Sequence, residues 1–551
     1  MDLKNKPVPP EFTQSKNTDH NGKLCSMVGV SQRYGTAGFR TNASHLPFVV
    51  YRMGALAAAV SRSNGGQAVG LMITASHNPE DDNGVKFVSP TGEMLDAAWE
   101  KLATELANAN DSSLVDCVQS IYERMSIDHS SSAVVLCAYD TRASGTHLHE
   151  AAAAGVRSAE GQFRSFGKLT TPQLHFIVRC SNDPTYGLPS SVGYFQKLTT
   201  AYEELLKIFS TDQNVDSRGV DVVHVDCANG IGAAAMHQLR KTNKNCENTF
   251  QLYNTDGPLN DQCGADFVKI GRKPPMGPFT IQPGQRWASF DGDADRVVYF
   301  YLKQDGSFVL LDGDKVALLL FDFVRCLLAD GHLGTDWRCG IIQTAYANGA
   351  SMQYVREKLG IPPSLVPTGV KHLHHAAKAY DVGVYFEANG HGTVVFSEPF
   401  KQNVSKLAED ESGATDVRRR ACIMRHFIDL INETVGDALS DLLAVECVLR
   451  SRRWTQEQWD AMYTDRPSVQ LKVKVKDRLL IKTTWDETRC TTPEGLQSAI
   501  DGVTKSVGGR AFVRPSGTED IVRVYAEADT PENANLAAKR IEALVQKYCN
   551  D

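Results

Sequence analysis

Several short apolar runs in this chain are typical of buried strands, and each ends in a polar or glycine-containing turn. They are Ala68–Ala75, Ala133–Tyr139, Val220–Asp226 and Arg338–Thr344, followed by SHNP, DTRASG, CANGIG and AYANG. Helix-like segments separate these runs, and this alternation predicts layered α/β domains. Functional loops of parallel α/β sheets lie at the carboxyl ends of the strands, so we expect the chemistry in these turns.

The composition limits the class of protein further. A chain of 551 residues is too long for one core and predicts about three or four domains. A net charge of −7 argues against broad binding to nucleic acid or to a membrane surface. No apolar run reaches the roughly 18 residues of a membrane span, and the first twenty residues lack the apolar core of a signal peptide. The 13 cysteines include no CxxC pair, which favours reduced thiols and a cytoplasmic location.

The second half of the chain shows further local patterns. The charged segment from Lys401 to Arg418 predicts a loop before a helix around Arg419–Val435. Alternating residues at Val469–Val475 predict a strand. A capped amphipathic helix is expected from Pro531 onward, with Thr530 as its cap. The last hundred residues therefore predict a small α+β unit.

Ser76 follows the first apolar run. A hydroxyl at the end of a buried strand, beside His77 and Asn78, is well placed to be a nucleophile. A GxSxG hydrolase elbow would have glycine where Thr74 and Asn78 stand, so acyl transfer is disfavoured. His77 adjoins Ser76 and is expected to bond a phosphoryl oxygen rather than to act as the base of a triad. Taken alone, the motif is more often a structural serine at the end of a strand.

The acidic run DGDADR, residues 291–296, lies between two strand-like segments. In an extended loop, the carboxylates of Asp291, Asp293 and Asp295 can converge on one hard cation such as Mg²⁺. An EF-hand would need glycine and glutamate where Arg296 and Leu302 stand. Three ligands leave open positions that a phosphate oxygen can fill. A solvated acidic turn is the alternative.

The run RPSGTE, residues 514–519, also connects two strand-like segments. Gly517 can turn backbone N–H groups toward one point. Ser516 and Thr518 add hydroxyl groups, and Arg514 and Arg523 add planar cationic forks for phosphate oxygens. The pattern predicts an anion-binding loop. A plain turn with solvated arginines is the alternative.

The remaining candidates are the EANGHG loop and three cations in glycine-rich loops. Glu387 and Asn389, in EANGHG, can bond vicinal hydroxyls of a polyhydroxylated ligand, although a structural turn explains the run equally well. Arg40, Lys86 and Lys371 are single cations placed in glycine-rich loops. Each alone suits a surface charge, and only the repeated pattern suggests a role.

Together these motifs resemble the α-D-phosphohexomutase superfamily. They occur in the order YGTAGFR, TASHNP, DGDADR, PTGVKH, EANGHG and RPSGTED, from Tyr34 to Asp520. The resemblance implies a four-domain, heart-shaped α/β architecture, with three related α/β domains and a smaller C-terminal α+β domain around a central cleft. The expected domains are 1–200 with the phosphoserine loop, 201–311 with the metal loop, 312–455 with the sugar loop and 456–551 with the phosphate loop. A mobile hinge is expected near Arg450–Gln458.

The implied reaction is a reversible isomerisation. The loop EANGH and the motif ITASHNPEDDNGVKF resemble the branch that interconverts N-acetylglucosamine 6-phosphate and N-acetylglucosamine 1-phosphate, in UDP-N-acetylglucosamine biosynthesis. That chemistry implies one Mg²⁺ per chain, a phosphorylated Ser76 and a hexosamine 1,6-bisphosphate intermediate. The alternatives are a phosphoglucomutase or phosphomannomutase, a serine-dependent sugar-phosphate phosphatase and a catalytically silent sugar-phosphate-binding protein. Sugar phosphates are the expected partners, with no nucleic acid and no membrane; no oligomeric state is predicted.

The resemblance also implies the residues of the site. Catalytic roles are expected for Ser76, His77, Lys86, Arg40, Arg296 and Lys371. Lys86 is the first candidate for the general base and Lys371 the second. Metal ligands are expected to be Ser76, Asp291, Asp293 and Asp295. Substrate contacts are expected from Thr368, Gly369, Glu387, Ala388, Asn389, Arg514, Pro515, Ser516, Gly517, Thr518 and Arg523.

Overall fold

The computed structural model describes residues 8–210, 222–516 and 520–550. The chain divides into two compact units. One unit comprises Met1–Leu310 and Asp429–Leu443, and the other comprises Leu311–Ile428 and Ala444–Asp551. Each unit contains two principal β-sheets.

The first sheet of the first unit carries the serine motif. Its five strands lie in the order β1-β3-β2-β4-β5, and are β1 (Phe39–Asn42), β2 (Ala68–Ile73), β3 (Asp82–Val88), β4 (Val134–Tyr139) and β5 (Gln162–Lys168). Strands β2, β4 and β5 are parallel, and β3 runs antiparallel to β1 and β2. The accompanying helices are α1 (Pro47–Ser63), α2 (Ala97–Asn108), α3 (Leu114–Arg124), α4 (Gly145–Ser158), α5 (Thr171–Asn182) and α6 (Ser191–Ser210). Every residue of β2 is buried, as the apolar run predicts.

The second sheet carries the acidic run. Its order is β10-β9-β8-β6-β7, with β6 (Val223–Asp226), β7 (Phe250–Tyr253), β8 (Arg286–Phe290), β9 (Val297–Leu302) and β10 (Phe308–Leu311). Strands β7, β6 and β8 are parallel, whereas β8 and β9 are antiparallel, so the acidic run is the turn that joins β8 to β9. Its helices are α7 (Ile231–Thr242), α8 (Lys244–Thr249) and α9 (Ala265–Gly271).

The second unit opens with a four-stranded sheet of order β12-β11-β13-β14. The elements are α10 (Gly313–Leu328), β11 (Cys339–Thr344), α11 (Gly349–Glu357), β12 (Ser364–Val366), α12 (Val370–Ala377), β13 (Val382–Phe386) and β14 (Gly392–Phe396). Helices α13 (Glu398–Glu409), α14 (Thr415–Leu430), α15 (Ala438–Arg452) and α16 (Gln456–Asp460) follow. The end of α14 and the first residues of α15 belong to the first unit. The prediction of a loop over Lys401–Arg418 was wrong. Ser397 caps α13 by accepting a hydrogen bond from Phe400 N, and the charges of this segment lie on the solvent side of the helix.

The C-terminal part forms a small α+β layer, as predicted. Its elements are β15 (Ser468–Lys474), β16 (Lys482–Thr483), β17 (Cys490–Thr492), α17 (Leu496–Val507), β18 (Arg510–Pro515), β19 (Ile521–Glu527) and α18 (Pro531–Asn550). Strands β15, β19 and β18 form an antiparallel sheet in that order. Apolar residues of this sheet and of the two helices share one core. The opposite face carries the buried rings of Phe512 and Tyr525, which pack against Ala345.

The structure confirms the mixed α/β class that the alternation of strand-like and helix-like segments predicts. No helix in the described parts of the chain is long and apolar enough to cross a membrane. All 13 cysteines are free thiols.

Candidate active site

Ser76 lies just beyond the end of β2 and contacts the acidic loop. Its Oγ donates a 2.5 Å hydrogen bond to Asp291 Oδ2, and its backbone N–H donates to Thr74 Oγ1 at 2.9 Å. The residue is buried and its φ is +51°. A non-glycine residue in this left-handed region costs on the order of 1 kcal/mol. The surrounding contacts must offset that cost, and they fix the direction of the hydroxyl.

Arg142 holds the serine loop, and the sequence analysis assigned it no role. Its Nε donates to Asp140 Oδ2 at 3.1 Å, and both side chains are fully buried. Its two Nη groups donate to backbone carbonyls of Ser76 (3.0 Å), Asn78 (2.9 Å), Asp82 (2.8 Å) and Pro79. The available signal was the DTRASG turn after β4, the strand parallel to β2.

Asn260 and Gly292 bring the serine loop against the second sheet. Asn260 Nδ2 donates to the carbonyls of Ser76 (2.9 Å) and Asn78 (3.1 Å). A Cβ on Gly292 would lie 2.5 Å from Ser76 O. Only glycine fits at this position of the acidic run, because any side chain would separate the two loops.

The three aspartates converge as the spacing predicts. Asp291, Asp293 and Asp295 are buried, and one carboxylate oxygen of each lies within 4.8 Å of the others. Burial and the neighbouring aspartates raise the pKa of Asp291 well above its ordinary value. Oδ1 of Asp293 has no hydrogen-bond partner within the described parts of the chain. Such a cluster of buried carboxylates fits a divalent cation.

Thr171 and Lys86 contact this cluster. Thr171, at the start of α5, donates from Oγ1 to Asp293 Oδ2 at 2.6 Å. Lys86 Nζ lies 3.1 Å from a carboxylate oxygen of both Asp293 and Asp295. Burial by itself would lower the pKa of Lys86, but the two carboxylates outweigh it and the net shift is upward. In this arrangement Lys86 is a protonated ion-pair partner.

Arg296, His77 and Arg40 line the same region. Arg296 Nη1 donates to Asp266 Oδ1 at 3.0 Å, and its Nε lies 3.7 Å from oxygens of Asp291 and Asp295. His77 Nε2 lies 3.6 Å from Asp266 Oδ2. Burial and the charge of Arg296 lower the pKa of His77 to about 3, so its ring is neutral at neutral pH. Arg40 Nη1 donates to Asn78 Oδ1 at 3.3 Å.

Asp266 is a second residue that the sequence analysis missed. It lies in the first turn of α9, and its two oxygens face Arg296 and His77. Both partners were predicted site residues. Their orientation therefore depends on a carboxylate outside the motifs.

The sugar loop is a tight turn between β13 and β14. Asn389 Nδ2 donates to Glu387 Oε2 at 3.0 Å, and Asn389 Oδ1 accepts from His391 N at 3.0 Å. A Cβ on Gly313, at the start of α10, would lie 1.9 Å from Glu387 O. The close backbone contact fixes the loop, with Ala388 buried inside it. One carboxylate and one amide thus stand side by side, as hydroxyl recognition requires.

The anion-binding loop begins at the end of β18. Arg514 and Arg523 are directly opposite each other in the β18–β19 pair, and Lys472 on β15 is opposite Arg523. Like charges in such a row are unfavourable unless an anion lies between them. Pro515 ends β18, and the N–H of Ser516 donates to Ile521 O at 2.8 Å. The predicted ligands Gly517 and Thr518 lie outside the described residues.

Thr368 and Arg514 meet at one carboxylate in the second unit. Glu487 Oε2 accepts from Thr368 N at 3.0 Å and from Thr368 Oγ1, and lies 3.1 Å from Arg514 Nε. Gly369 precedes α12 with φ +127°, and Lys371 lies in the first turn of that helix. Glu487 belongs to none of the sequence motifs and was not predicted as a site residue.

The first unit has a buried serine bonded to a three-aspartate loop on two mixed α/β sheets. The second unit has a carboxylate-and-amide turn on a third α/β sheet and two facing arginines in a small α+β layer. This combination of fold and residues is that of a phosphohexomutase. Family models match most of the chain. Phosphoglucomutase/phosphomannomutase models match domain I at residues 48–114 and 104–186 and the C-terminal domain at 494–544. Phosphoacetylglucosamine mutase AMG1 models match domain II at residues 187–298 and domain III at 312–454.

Curated relatives named phosphoacetylglucosamine mutase are similar to nearly the whole chain. The chain is 46% identical over 535 residues to phosphoacetylglucosamine mutase of Sus scrofa, covering 96% of both chains. It is 47% identical over 523 residues to the enzyme of Mus musculus, covering 94% of both. The chain therefore belongs to the phosphoacetylglucosamine mutase family of the α-D-phosphohexomutase superfamily, which confirms the predicted membership.

Solved structures of N-acetylglucosamine-phosphate mutases superpose on nearly the whole chain. A substrate complex of N-acetylglucosamine-phosphate mutase superposes with a TM-score of 0.90 at 40% identity, covering 98% of both chains. The Aspergillus fumigatus enzyme in complex with GlcNAc-6P and magnesium gives 0.87 at 42%, covering 95% of this chain and 97% of that one. A serine variant of that enzyme in complex with glucose 1,6-bisphosphate gives 0.88 at 40%, covering 99% and 100%.

Proposed function

We propose that this chain interconverts N-acetylglucosamine 6-phosphate and N-acetylglucosamine 1-phosphate. Phosphorylated Ser76 serves as the phosphoryl carrier, and a 1,6-bisphosphate is the intermediate. The observation that carries the proposal is the buried hydrogen bond from Ser76 Oγ to Asp291. The bond supports Ser76 as the nucleophile beside the three-aspartate cluster, and the mutase relatives support the substrate class. The product is consumed in UDP-N-acetylglucosamine biosynthesis.

We propose Asp291, Asp293 and Asp295 as the ligands of one Mg²⁺, with a phosphoryl oxygen on Ser76 as a further ligand. The buried carboxylates fit this role, and a relative was solved with magnesium. When bound, the metal neutralises charge on the transferring phosphoryl group. Thr171 and Lys86 orient Asp293.

Phosphoryl transfer then follows from the groups around Ser76. The sugar 1-hydroxyl attacks the phosphoserine, so a bond forms from phosphorus to the sugar oxygen and the bond to Ser76 Oγ breaks. Arg40 and Arg296 balance the equatorial charge, and neutral His77 can donate one N–H to a phosphoryl oxygen. The bisphosphate turns over in the site, and its 6-phosphate returns to Ser76.

The attacking 1-hydroxyl loses a proton to a general base, and the leaving Ser76 Oγ gains one proton and becomes a hydroxyl again. When the 6-phosphate returns to Ser76, Ser76 Oγ loses its proton and the sugar 6-oxygen gains one. Lys86 is the first candidate for this base and Lys371 the second. The contacts of Lys86 with Asp293 and Asp295 raise its pKa. The assignment to Lys86 therefore requires that a metal ion engage those carboxylates instead.

Substrate binding is assigned to the loops of the second unit. Arg514, Pro515, Ser516 and Arg523, with Gly517 and Thr518 beyond the described residues, are proposed to hold the phosphate that is not transferred. The sugar hydroxyls are assigned to Thr368, Gly369, Glu387, Ala388 and Asn389. The neighbouring carboxylate and amide of the EANGHG turn support this assignment.

The proposed division into domains 1–200, 201–311, 312–455 and 456–551 gives each of these loops its own domain. The first boundary lies within α6, and the last lies where Thr455 caps α16. A hinge near Arg450–Gln458 is proposed to close the fourth domain over bound substrate and exclude water. We also propose a cytoplasmic location, which the 13 free thiols support.

One comparison tests the activity. The enzyme, with Mg²⁺ and a trace of hexose 1,6-bisphosphate, is given N-acetylglucosamine 6-phosphate or glucose 6-phosphate, and phosphorus NMR follows the products. Isomerisation of the acetamido sugar with higher kcat/KM supports the proposal. Preference for the glucose substrate would assign phosphoglucomutase activity, and release of inorganic phosphate would assign a phosphatase.

A further inference from the structure

Glu487 belongs to none of the family motifs, yet its carboxylate contacts two proposed substrate-binding residues. A single oxygen, Oε2, accepts hydrogen bonds from the backbone N–H and the hydroxyl of Thr368 and lies 3.1 Å from Arg514 Nε. The side chains of Glu487 and Arg514 are only 16% and 18% exposed. The ion pair is thus shielded from water. Contacts between charged groups are stronger in such surroundings than in water.

The turn that carries Glu487 is built to aim this side chain. Glu487 joins β16 to β17 with φ +59°, a conformation that an L-residue adopts at a cost. Oδ1 of Asp486 accepts from Thr484 Oγ1 at 2.5 Å, Thr488 N at 3.2 Å and Thr488 Oγ1 at 2.9 Å. Glu487 N also donates to Thr484 O at 3.0 Å. These bonds keep the backbone of the turn in one conformation.

The negative charge of Glu487 faces a row of three cations, of which Arg514 is its ion-pair partner. Lys472, Arg523 and Arg514 form a row across β15, β19 and β18. Glu487 pairs with the arginine at one end of that row through Nε. The Nε–H makes no hydrogen bond within the described parts of the chain, so the carboxylate attracts the whole guanidinium, including its two Nη groups, by charge rather than by a directed bond. Those Nη groups are the part of the fork that can pair with phosphate oxygens.

We propose that Glu487 is a positioning residue for phosphate recognition. Its carboxylate orients Arg514 and ties it to Thr368, so the end of β18 and the turn before α12 are held together. This inference rests on the proposed function for its substrate, a sugar phosphate. It assigns to Glu487 a role in binding rather than in the transfer step, since it touches neither Ser76 nor the aspartate cluster in the described contacts.

The test is the substitution Glu487→Gln, which removes the negative charge and keeps the shape of the side chain. We expect KM for N-acetylglucosamine 6-phosphate to rise about tenfold, with a smaller change in kcat, because a charge-assisted contact is lost. The Kd of inorganic phosphate, measured by calorimetry on the Mg²⁺-free enzyme, should rise by a similar factor. Arg514→Gln identifies the part of the calorimetric signal that belongs to this loop. Glu494→Gln, at an exposed glutamate of the same layer, is the matched control and should leave both constants unchanged.

A double-mutant cycle separates positioning from a general loss of structure. If the carboxylate acts through Thr368, then Glu487→Gln combined with Thr368→Val should cost less than the sum of the two single changes. Additive effects would contradict the tie between the loops. Should Glu487→Gln not fold, Glu487→Asp keeps the charge but shortens the reach, and it should also weaken phosphate binding.

Two results would overturn the inference. Unchanged phosphate binding in the folded variant would show that Arg514 needs no carboxylate, and tighter binding would show that Glu487 competes with phosphate. A wild-type enzyme that binds phosphate but does not isomerise the sugar would instead overturn the proposed function. The phosphate measurements would still decide the role of Glu487.

Discussion

Ser76 Oγ donates a 2.5 Å hydrogen bond to Asp291 Oδ2, although 215 positions separate the two residues in the chain. The contact joins the end of a parallel strand in one sheet to a turn of the next sheet. It is buried on both sides. A hydroxyl held on an acidic cluster in this way can share a metal ion with it once the serine is phosphorylated.

Replacing the nucleophile should abolish turnover and leave the fold intact. For Ser76→Ala we expect mutase activity to fall about a thousandfold or more, because the phosphoryl carrier is gone. Intact-mass measurement should find one phosphate on a fraction of wild-type molecules and none on the variant. Ser112→Ala, at an exposed serine of the same unit, should behave as wild type. Near-normal turnover by Ser76→Ala would sink the nucleophile assignment.

The sequence predicted those parts of the site in which the functional residues are close together in one short motif. The run DGDADR shows three carboxylates, and the structure brings them within 4.8 Å. The EANGHG turn likewise places Glu387 beside Asn389. Local spacing sufficed in both cases, because the ligands lie on a single turn.

The residues that support these loops were not predictable in the same way. Arg142, Asp266 and Glu487 act through contacts 66, 30 and 119 positions apart in sequence. Each stands in an ordinary polar turn or helix start, and only the packing of the strands gives it a partner. The loop predicted over Lys401–Arg418 was wrong for a different, local reason, since Phe400, Val404 and Ala408 recur every four residues and form the buried face of α13.

Arg142 should matter as much to stability as to activity. In Arg142→Met the carboxyl of Asp140 loses its ion pair in a buried site, and four carbonyls of the serine loop lose their donors. We expect a loss of about 3 kcal/mol in the free energy of unfolding, measured with urea, and a lower kcat. Arg124→Met breaks an exposed pair with Glu105 and should cost less than about 1 kcal/mol. Equal effects of the two changes would contradict the special role of Arg142.

Replacing one aspartate of the cluster should have opposite effects on the unfolding temperature with and without metal. Because burial and repulsion raise the pKa of Asp291, Asp291→Asn should raise the unfolding temperature of the protein in EDTA. In saturating Mg²⁺ the same variant should be less stable than wild type and inactive, since it lacks a ligand. Differential scanning calorimetry in the two buffers checks this. A variant that Mg²⁺ stabilises as strongly as wild type would contradict the ligand assignment.

Arg523 should contribute to binding more than to the chemical step. We expect Arg523→Ala to raise KM about tenfold or more, because a phosphate loses a charged fork. Arg489→Ala removes an exposed arginine that pairs with Asp501 and should leave KM unchanged. Steady-state kinetics on both variants makes the comparison. A wild-type KM for Arg523→Ala would contradict its place in the anion-binding loop.

Asp441 offers a pH test that is independent of the site. It is fully buried on α15, neither of its carboxylate oxygens has a hydrogen-bond partner within the described parts of the chain, and burial together with Asp437 raises its pKa well above the ordinary value. The folded protein therefore keeps this proton at pH values where the unfolded chain has released it. Its stabilising contribution is complete below the unfolded pKa of about 4, and it declines as the pH rises from there toward the folded pKa.

The variant Asp441→Asn keeps the shape and removes the titration. We expect it to be more stable than wild type at pH 8 and nearly equal at pH 4, so the difference in unfolding free energy should grow with pH. Urea unfolding at four pH values measures it. Asp336→Asn, at an exposed aspartate, should show no such trend. A constant difference across this range would mean that Asp441 titrates as it does in the unfolded chain, and that its burial is relieved by water.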